Sequence, residues 1–149
     1  MKVANLFEVG LEPDEEDAPG YAVSYARVGP LVGGEQLGLS VYEIGPEQSI
    51  CPYHYENAEE EWLIVLAGRA TVRTPDREMQ LEPWDTLLFP DGEAGAHQVA
   101  NRTNEPLRVA IWSTKQVPHA TVYPEDDRIL IRPQRLFFRL SDALDTWSG

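Results

Sequence analysis

Between Cys51 and Gly68 the chain sets His54 and Glu56 two residues apart, passes through Glu59, Glu60 and Glu61, and then turns densely apolar at Trp62-Leu63-Ile64-Val65-Leu66-Ala67. Side chains alternate across an extended strand, so His54 and Glu56 would share one face, and Glu61, Leu63 and Val65 would form a second such row. An imidazole and two carboxylates aimed into an apolar interior are costly to desolvate unless a cation or a proton compensates them. This is the chemistry of a metal site. Trp62, Ile64 and Leu66 would lie on the face opposite Glu61, and apolar residues on both faces of one strand call for a second covering layer.

The elements that would position these groups are short. Pro (12) and Gly (11) punctuate the 149 residues, which suits many strands joined by turns better than a helical bundle. Alternating stretches are read at Ala22–Val28, Gln36–Ile44, Ala70–Thr74, Glu78–Leu81, Thr86–Phe89, Ala96–Asn101 and Leu107–Ser113, with weaker ones at Thr121–Tyr123, Arg128–Ile131 and Leu136–Arg139. About ten such strands predict an all-β sandwich or barrel in one domain spanning 1–149. Residues 1–20 read as an acidic N-terminal arm, because like charges in Glu12-Pro13-Asp14-Glu15-Glu16-Asp17 repel one another. A short C-terminal helix is expected, capped by Ser141, with Leu140, Ala143, Leu144 and Trp147 on one side.

The formal charge of -13 opposes binding to phosphate backbones and anionic lipid surfaces, so neither nucleic acid nor membrane is an expected partner. One cysteine, Cys51, excludes an intrachain disulfide framework and a cysteine-based zinc finger. Met1 to Asn5 leads into no apolar export segment, and the expectation is a soluble, cytoplasmic protein. Asn101-Arg102-Thr103 matches a glycosylation acceptor, which without such a segment is read as chance.

With the strands in place, the residues resemble the cupin superfamily of small jelly-roll barrels, the double-stranded β-helix fold, whose members hold a metal inside. Gly45 leads the first motif, His54 stands at its first histidine and Glu56 at its second; four residues separate Glu56 from Glu61, and six separate Glu61 from Gly68. The second motif is matched by Trp84 at a turn glycine, then Pro90, Gly92, His97 and Asn101, and the two motifs together cover about residues 36–113. Four departures stand out: eight residues rather than five between Gly45 and His54, two extra residues between Gly92 and His97, Trp84 at a glycine position, and Glu56 in place of a histidine. Tryptophan is tolerable there if the position does not need a positive φ.

The resemblance implies ligation of one divalent transition metal (Fe, Mn, Ni or Zn) by His54, Glu56, Glu61 and His97. It also implies a small-molecule ligand beside the metal and a homodimer, with oxygenase or isomerase chemistry as the enzymatic form. A non-catalytic sensor barrel and a dimeric structural module with a vestigial site are the alternatives. No catalytic residue is assigned, and an unligated Glu56 is the only general-base candidate. With Glu56 bound, two carboxylates neutralise a divalent ion, which acidifies bound water less than a cationic site does. Ligating imidazoles must be neutral, so metal loss is expected on acidification through about pH 6. Outside the ligand set, Glu59 and Glu60 read as a solvated turn and His119 as a loop or rim residue. Cys51 reads as a buried thiol facing away from His54, and Tyr53 and Tyr55 as packing residues.

Overall fold

The structure is a computed structural model that describes residues 1–14 and 18–144. Thirteen strands occur among them: β1 (Glu12–Pro13), β2 (Val23–Arg27), β3 (Leu37–Ile44), β4 (Tyr55–Asn57), β5 (Glu61–Ala67), β6 (Ala70–Arg73), β7 (Glu78–Leu81), β8 (Thr86–Phe89), β9 (Gln98–Ala100), β10 (Leu107–Thr114), β11 (His119–Tyr123), β12 (Arg128–Arg132) and β13 (Leu136–Arg139). They form antiparallel sheets in the orders β1-β2-β3-β10-β5-β8, β13-β12-β11-β4 and β7-β6-β9. The expected all-β barrel is what the chain builds. No helix among the described residues is long and apolar enough to cross a membrane.

Alternation decides which residues make the core. Leu63 and Val65 of β5 are fully buried, and they pack with Ile44, Val72, Val99 and Val109 from the neighbouring strands. The other face of β5 is divided. Leu66 joins a second cluster with Val28, Val41 and Ala110, and that cluster is covered by Ala4, Leu6, Val9 and Leu11 from the N-terminal segment. Trp62, at 47% exposure, stands uncovered with Leu37 and Leu88.

The N-terminal segment is therefore not a solvated arm throughout. Its alternating aliphatic residues dock on the outer sheet face, Arg108 donates a hydrogen bond to the Phe7 carbonyl at 2.8 Å, and Glu12 pairs with Tyr25 as an edge strand. Proline is acceptable at that edge because its missing N–H leaves no ladder bond unmade. Glu15, Glu16 and Asp17 of the acidic run lie outside the described residues.

Two local expectations are corrected. The strand starting near Ala22 gives way to a short helix, α1 (Val28–Val32), which ends on Gly33 in the left-handed region at φ 84°. Proline in a first turn costs a helix nothing, so Gly29-Pro30 starts the turn rather than merely ending the strand. At the C-terminus, Leu140–Asp142 forms a single 3-10 turn, and Ala143 is already extended at ψ 137°. Ser141 caps nothing there; its hydroxyl donates to Asp127 at 2.6 Å. Trp147 lies outside the described residues.

Trp84 occupies a conformation that favours glycine. Glu82-Pro83-Trp84-Asp85 is a tight turn closed by the Asp85 N–H on the Glu82 carbonyl at 3.0 Å, with Trp84 at φ 75°. Proline followed by a positive-φ residue is the pattern of a type II turn. The position does need a positive φ, contrary to the condition under which tryptophan is tolerable, and the side chain is 72% exposed. Relief of left-handed strain, partly offset by the greater freedom of an unfolded glycine, predicts that Trp84→Gly stabilises the fold by about 1 kcal/mol. Urea unfolding of the two proteins checks this, and a variant less stable than the parent would contradict it.

Asn101 ties the barrel where the second motif ends. It is fully buried, its amide donates to the carbonyls of Ile44 and Glu105 at 2.9 and 2.8 Å, and its Oδ1 accepts from the N–H and hydroxyl of Thr103. A side chain so fully used is not available as a glycosylation acceptor.

Candidate metal centre

His54 and His97 come together because their backbones pair directly. Each N–H donates to the other residue's carbonyl, at 3.0 and 2.8 Å, in an isolated antiparallel bridge. Residues opposite one another in such a pair send side chains to the same face, and the ring centroids lie 4.6 Å apart. Glu61 arrives from the first position of β5, opposite Phe89 of β8, and Phe89 in turn stacks on the His97 ring at 3.5 Å and 4°. Glu61 Oε2 lies 3.6 Å from His97 Nε2. One ligand atom from each of His54, Glu61 and His97 falls within 4.8 Å of the others.

Both imidazoles are held in the form a metal needs. The Nδ1 of His54 meets the Pro52 carbonyl at 3.0 Å, and the Nδ1 of His97 meets the Gly95 carbonyl at 2.9 Å. A carbonyl only accepts, so each Nδ1 carries the proton and each Nε2 keeps a free lone pair. Backbone orientation of the remote nitrogen is the usual support for a ligating histidine. The residues thus fit a divalent ion, with soft-to-borderline nitrogen donors and carboxylate oxygen in one small space. The two extra residues before His97 belong to a 3-10 turn, Glu93–Gly95, that delivers the Gly95 carbonyl to the ring. A Cβ on Gly95 would collide with the Pro90 carbonyl, so this close approach requires glycine.

Glu56 is placed differently from the other three. It lies two residues after His54, in β4, with Oε1 4.0 Å from His54 Nε2, but both of its oxygens accept from the Thr121 hydroxyl, at 3.0 and 2.8 Å. It groups within 4.8 Å with Glu59 and His119 rather than with the other three expected ligands. Glu59 reads as part of a solvated turn and is not. Glu59 is only 9% exposed, accepts the Gln116 N–H at 3.2 Å and lies 3.4 Å from His119 Nδ1. His119 opens β11 instead of lying in a loop, and is half-buried there. Glu60 is exposed, as expected of a turn.

Cys51 also departs from its expectation. Its sulfur lies 3.4 Å from His54 Nδ1 rather than facing away. Residues 51–53 are bends and not strand, so period-two alternation does not apply to them. Tyr123, to which strand reading assigns no role, stacks on the His54 ring at 5.7 Å. Thr121 and Tyr123 are two apart in a strand, and that spacing was the available sign that both face one way. Tyr53 packs under the Arg73 guanidinium at 4.1 Å.

Burial dominates the electrostatics. It lowers His54 to about 4, and lowers His97 to about 3 with the His54 charge adding to the effect. It raises Glu56 to about 8, reinforced by Glu61, and raises Glu61 to about 7, reinforced by Glu59. The Cys51 thiol is also pushed up by burial and by the two carboxylates, so it stays protonated. The histidines are therefore neutral well below pH 6. Without a cation it is the carboxylates that resist ionisation, which moves the cause of acid-induced metal loss from imidazole to carboxylate protonation.

No curated protein matches the chain in sequence. Among solved structures it is similar to a candidate sugar phosphate isomerase from Acidithiobacillus ferrooxidans (23% identity, 95% of this chain and 92% of that one, TM-score 0.84). It is likewise similar to a cupin-superfamily sugar phosphate isomerase from Silicibacter pomeroyi (21% identity, 98% of each chain, TM-score 0.83). A polyketide cyclase from Streptomyces resistomycificus aligns less fully (20% identity, 80% of this chain and 83% of that one, TM-score 0.64). The cupin domain family matches residues 40–114, the stretch that carries the paired histidines and both glutamates, and the chain belongs to the cupin superfamily as a small cupin-2 protein.

Proposed function

We propose that this barrel binds a small organic molecule beside one divalent transition metal held by His54, Glu61 and His97, with Glu56 beside the metal as an unligated carboxyl group, and that it acts as an isomerase. The observation that carries the reading is the pair of opposed histidines whose Nδ1 protons are committed to backbone carbonyls, leaving both Nε2 atoms toward Glu61 and Glu56. A bound divalent ion would polarise an oxygen of the molecule it holds.

The chain's own residues supply the rest. Phe89 and Tyr123 flank the imidazoles and keep water from their faces. Thr121 orients the Glu56 carboxyl group, which burial and Glu61 raise to about 8 in the absence of a cation; a bound divalent ion lowers that value, and an unligated Glu56 is the group placed to hold or release a proton. A group of that kind suits proton transfer between carbon or oxygen atoms of a bound molecule. Isomerase rather than oxygenase chemistry is favoured by the two structures that align over nearly the whole chain, both of which carry sugar phosphate isomerase names.

Elemental analysis of the purified protein, joined to mass spectrometry of any copurified ligand, is the test. About one transition metal per chain is expected, together with incorporation of solvent deuterium into a substrate during turnover. A protein that takes up no metal after reconstitution at neutral pH lacks the proposed site. A metal-loaded protein that holds a ligand tightly without turnover is a sensor, and the isomerase reading then fails.

A further inference from the structure

The inner face of the β11–β12 pair carries a cation that the metal centre does not use. Thr121 and Tyr123 show that this face looks into the site, the first through its hydroxyl on Glu56 and the second through its ring on His54. His119 lies on the same face, two residues before Thr121, with Nδ1 3.4 Å from Glu59 Oε1. In the ladder, His119 is paired with Arg132, Thr121 with Leu130 and Tyr123 with Arg128. Directly opposed residues of an antiparallel pair have Cβ atoms about 5 Å apart on one face. Arg132 therefore borders His119, and His119 borders the Glu56 carboxylate.

The arginines around this wall differ in what occupies them. Arg128 holds Asp126 at 2.8 Å and lies over the Tyr123 ring, and Arg73 holds Glu125 at 2.7 Å and covers Tyr53. The guanidinium of the half-buried Arg132 makes no ion pair and no hydrogen bond among the described residues. Its charge is nonetheless felt in the site, where it holds Glu56, Glu61 and Tyr123 lower than burial alone would leave them. In a chain of net charge -13, most of the surface repels anions, so an uncommitted arginine beside the site is a local exception.

We infer that Arg132 is the anchor for an oxyanion group of the substrate, a phosphate or a carboxylate, bound at the His119 end of the β11–β12 wall while the rest of the molecule reaches the metal centre. The planar guanidinium fork matches two oxygens of either group, and no other cation on this wall is free to do so. The inference deepens the proposed function and rests on that site being the binding pocket.

The test is calorimetric titration of the metal-loaded protein with inorganic phosphate and, separately, with acetate, with metal content measured on the same samples. At least one of the two anions should bind. Arg132→Gln should weaken that binding about 10-fold or more, on the scale of a charge-assisted hydrogen bond, with metal content unchanged. Arg132→Lys should keep part of the affinity, and Arg128→Gln should leave it intact. Which anion binds identifies the group. Failure of both anions to bind, or equal affinity in wild type and Arg132→Gln, overturns the inference while the metal content still reports on the proposed site. Anion binding that depends on Arg132 in protein unable to take up metal would uphold the anchor and remove the metal reading instead.

Discussion

Replacing His97 by alanine should lower metal affinity by more than about 100-fold, because even the loss of an outer partner of a ligating histidine costs about 10- to 100-fold. His97 is the only residue of the three-ligand group that comes from the second motif, and it faces His54 across a direct backbone bridge. The bridge uses main-chain atoms and survives the substitution. The residue is 3% exposed and its ring is stacked on Phe89, so removal of the side chain also costs about 1–3 kcal/mol of stability. The core of Leu63, Val65, Val72, Val99 and Val109 is untouched, and the variant should remain folded. Metal content after dialysis, read beside the near-UV circular dichroism, separates the two effects. Glu60→Ala, which removes an exposed carboxylate next to the site, should keep its metal. A folded His97→Ala protein that binds metal as well as wild type would refute the ligand assignment.

The second large effect is the dependence of stability on pH in the absence of metal. His54 and His97 have folded pKa values below the unfolded value of 6.5, so the unfolded chain takes up those protons first and stability falls as pH drops from 6.5 toward 3. Glu56 and Glu61 have folded values above the unfolded 4.5, so the folded chain keeps protons that the unfolded one releases. Their contribution is present below 4.5 and is lost as pH rises to about 8. Between 4.5 and 6.5 the two slopes offset each other. Above 6.5 only the carboxylates remain, and chelated protein should lose about 2 kcal/mol by pH 8, at about 1.4 kcal/mol per pKa unit per group.

A divalent ion reverses the sign of that trend. It binds ionised carboxylates and neutral imidazoles, so its affinity rises over the interval in which the metal-free protein weakens. At a metal concentration about 1,000-fold above Kd the gain is about 4 kcal/mol, or roughly 10 °C in Tm for a chain of this length. Thermal melts with chelator and with manganese from pH 5 to 8.5 read both curves. Chelated protein equally stable at pH 6 and pH 8, or metal stabilisation no larger at pH 8 than at pH 5, would contradict the account.

Much of this was open to sequence reading because it depends on local rules. The period of two put Leu63 and Val65 inside, and spacing singled out Glu61 among three consecutive glutamates. The turn residues marked most strand ends to within two positions. Where the chain leaves the strand conformation those rules stop applying. Cys51 was turned the wrong way because residues 51–53 bend, and Trp84 stands at a positive φ that no tryptophan in a turn announces.

What the sequence determined by itself is most of the strands, their buried faces and the chemical types available to one site: two histidines and a surplus of carboxylates. What only the tertiary structure decided is which of them meet. The pairing of His54 with His97 is a bridge across 43 residues of chain, and the pairing of β4 with β11 draws Thr121 to Glu56 from 65 residues away. That second pairing is what ties Glu56 to Thr121 and groups it with Glu59 and His119, and it brings Arg132 to the site's edge. Contacts between distant segments are set by sheet register, and register is a property of the closed barrel rather than of any one strand.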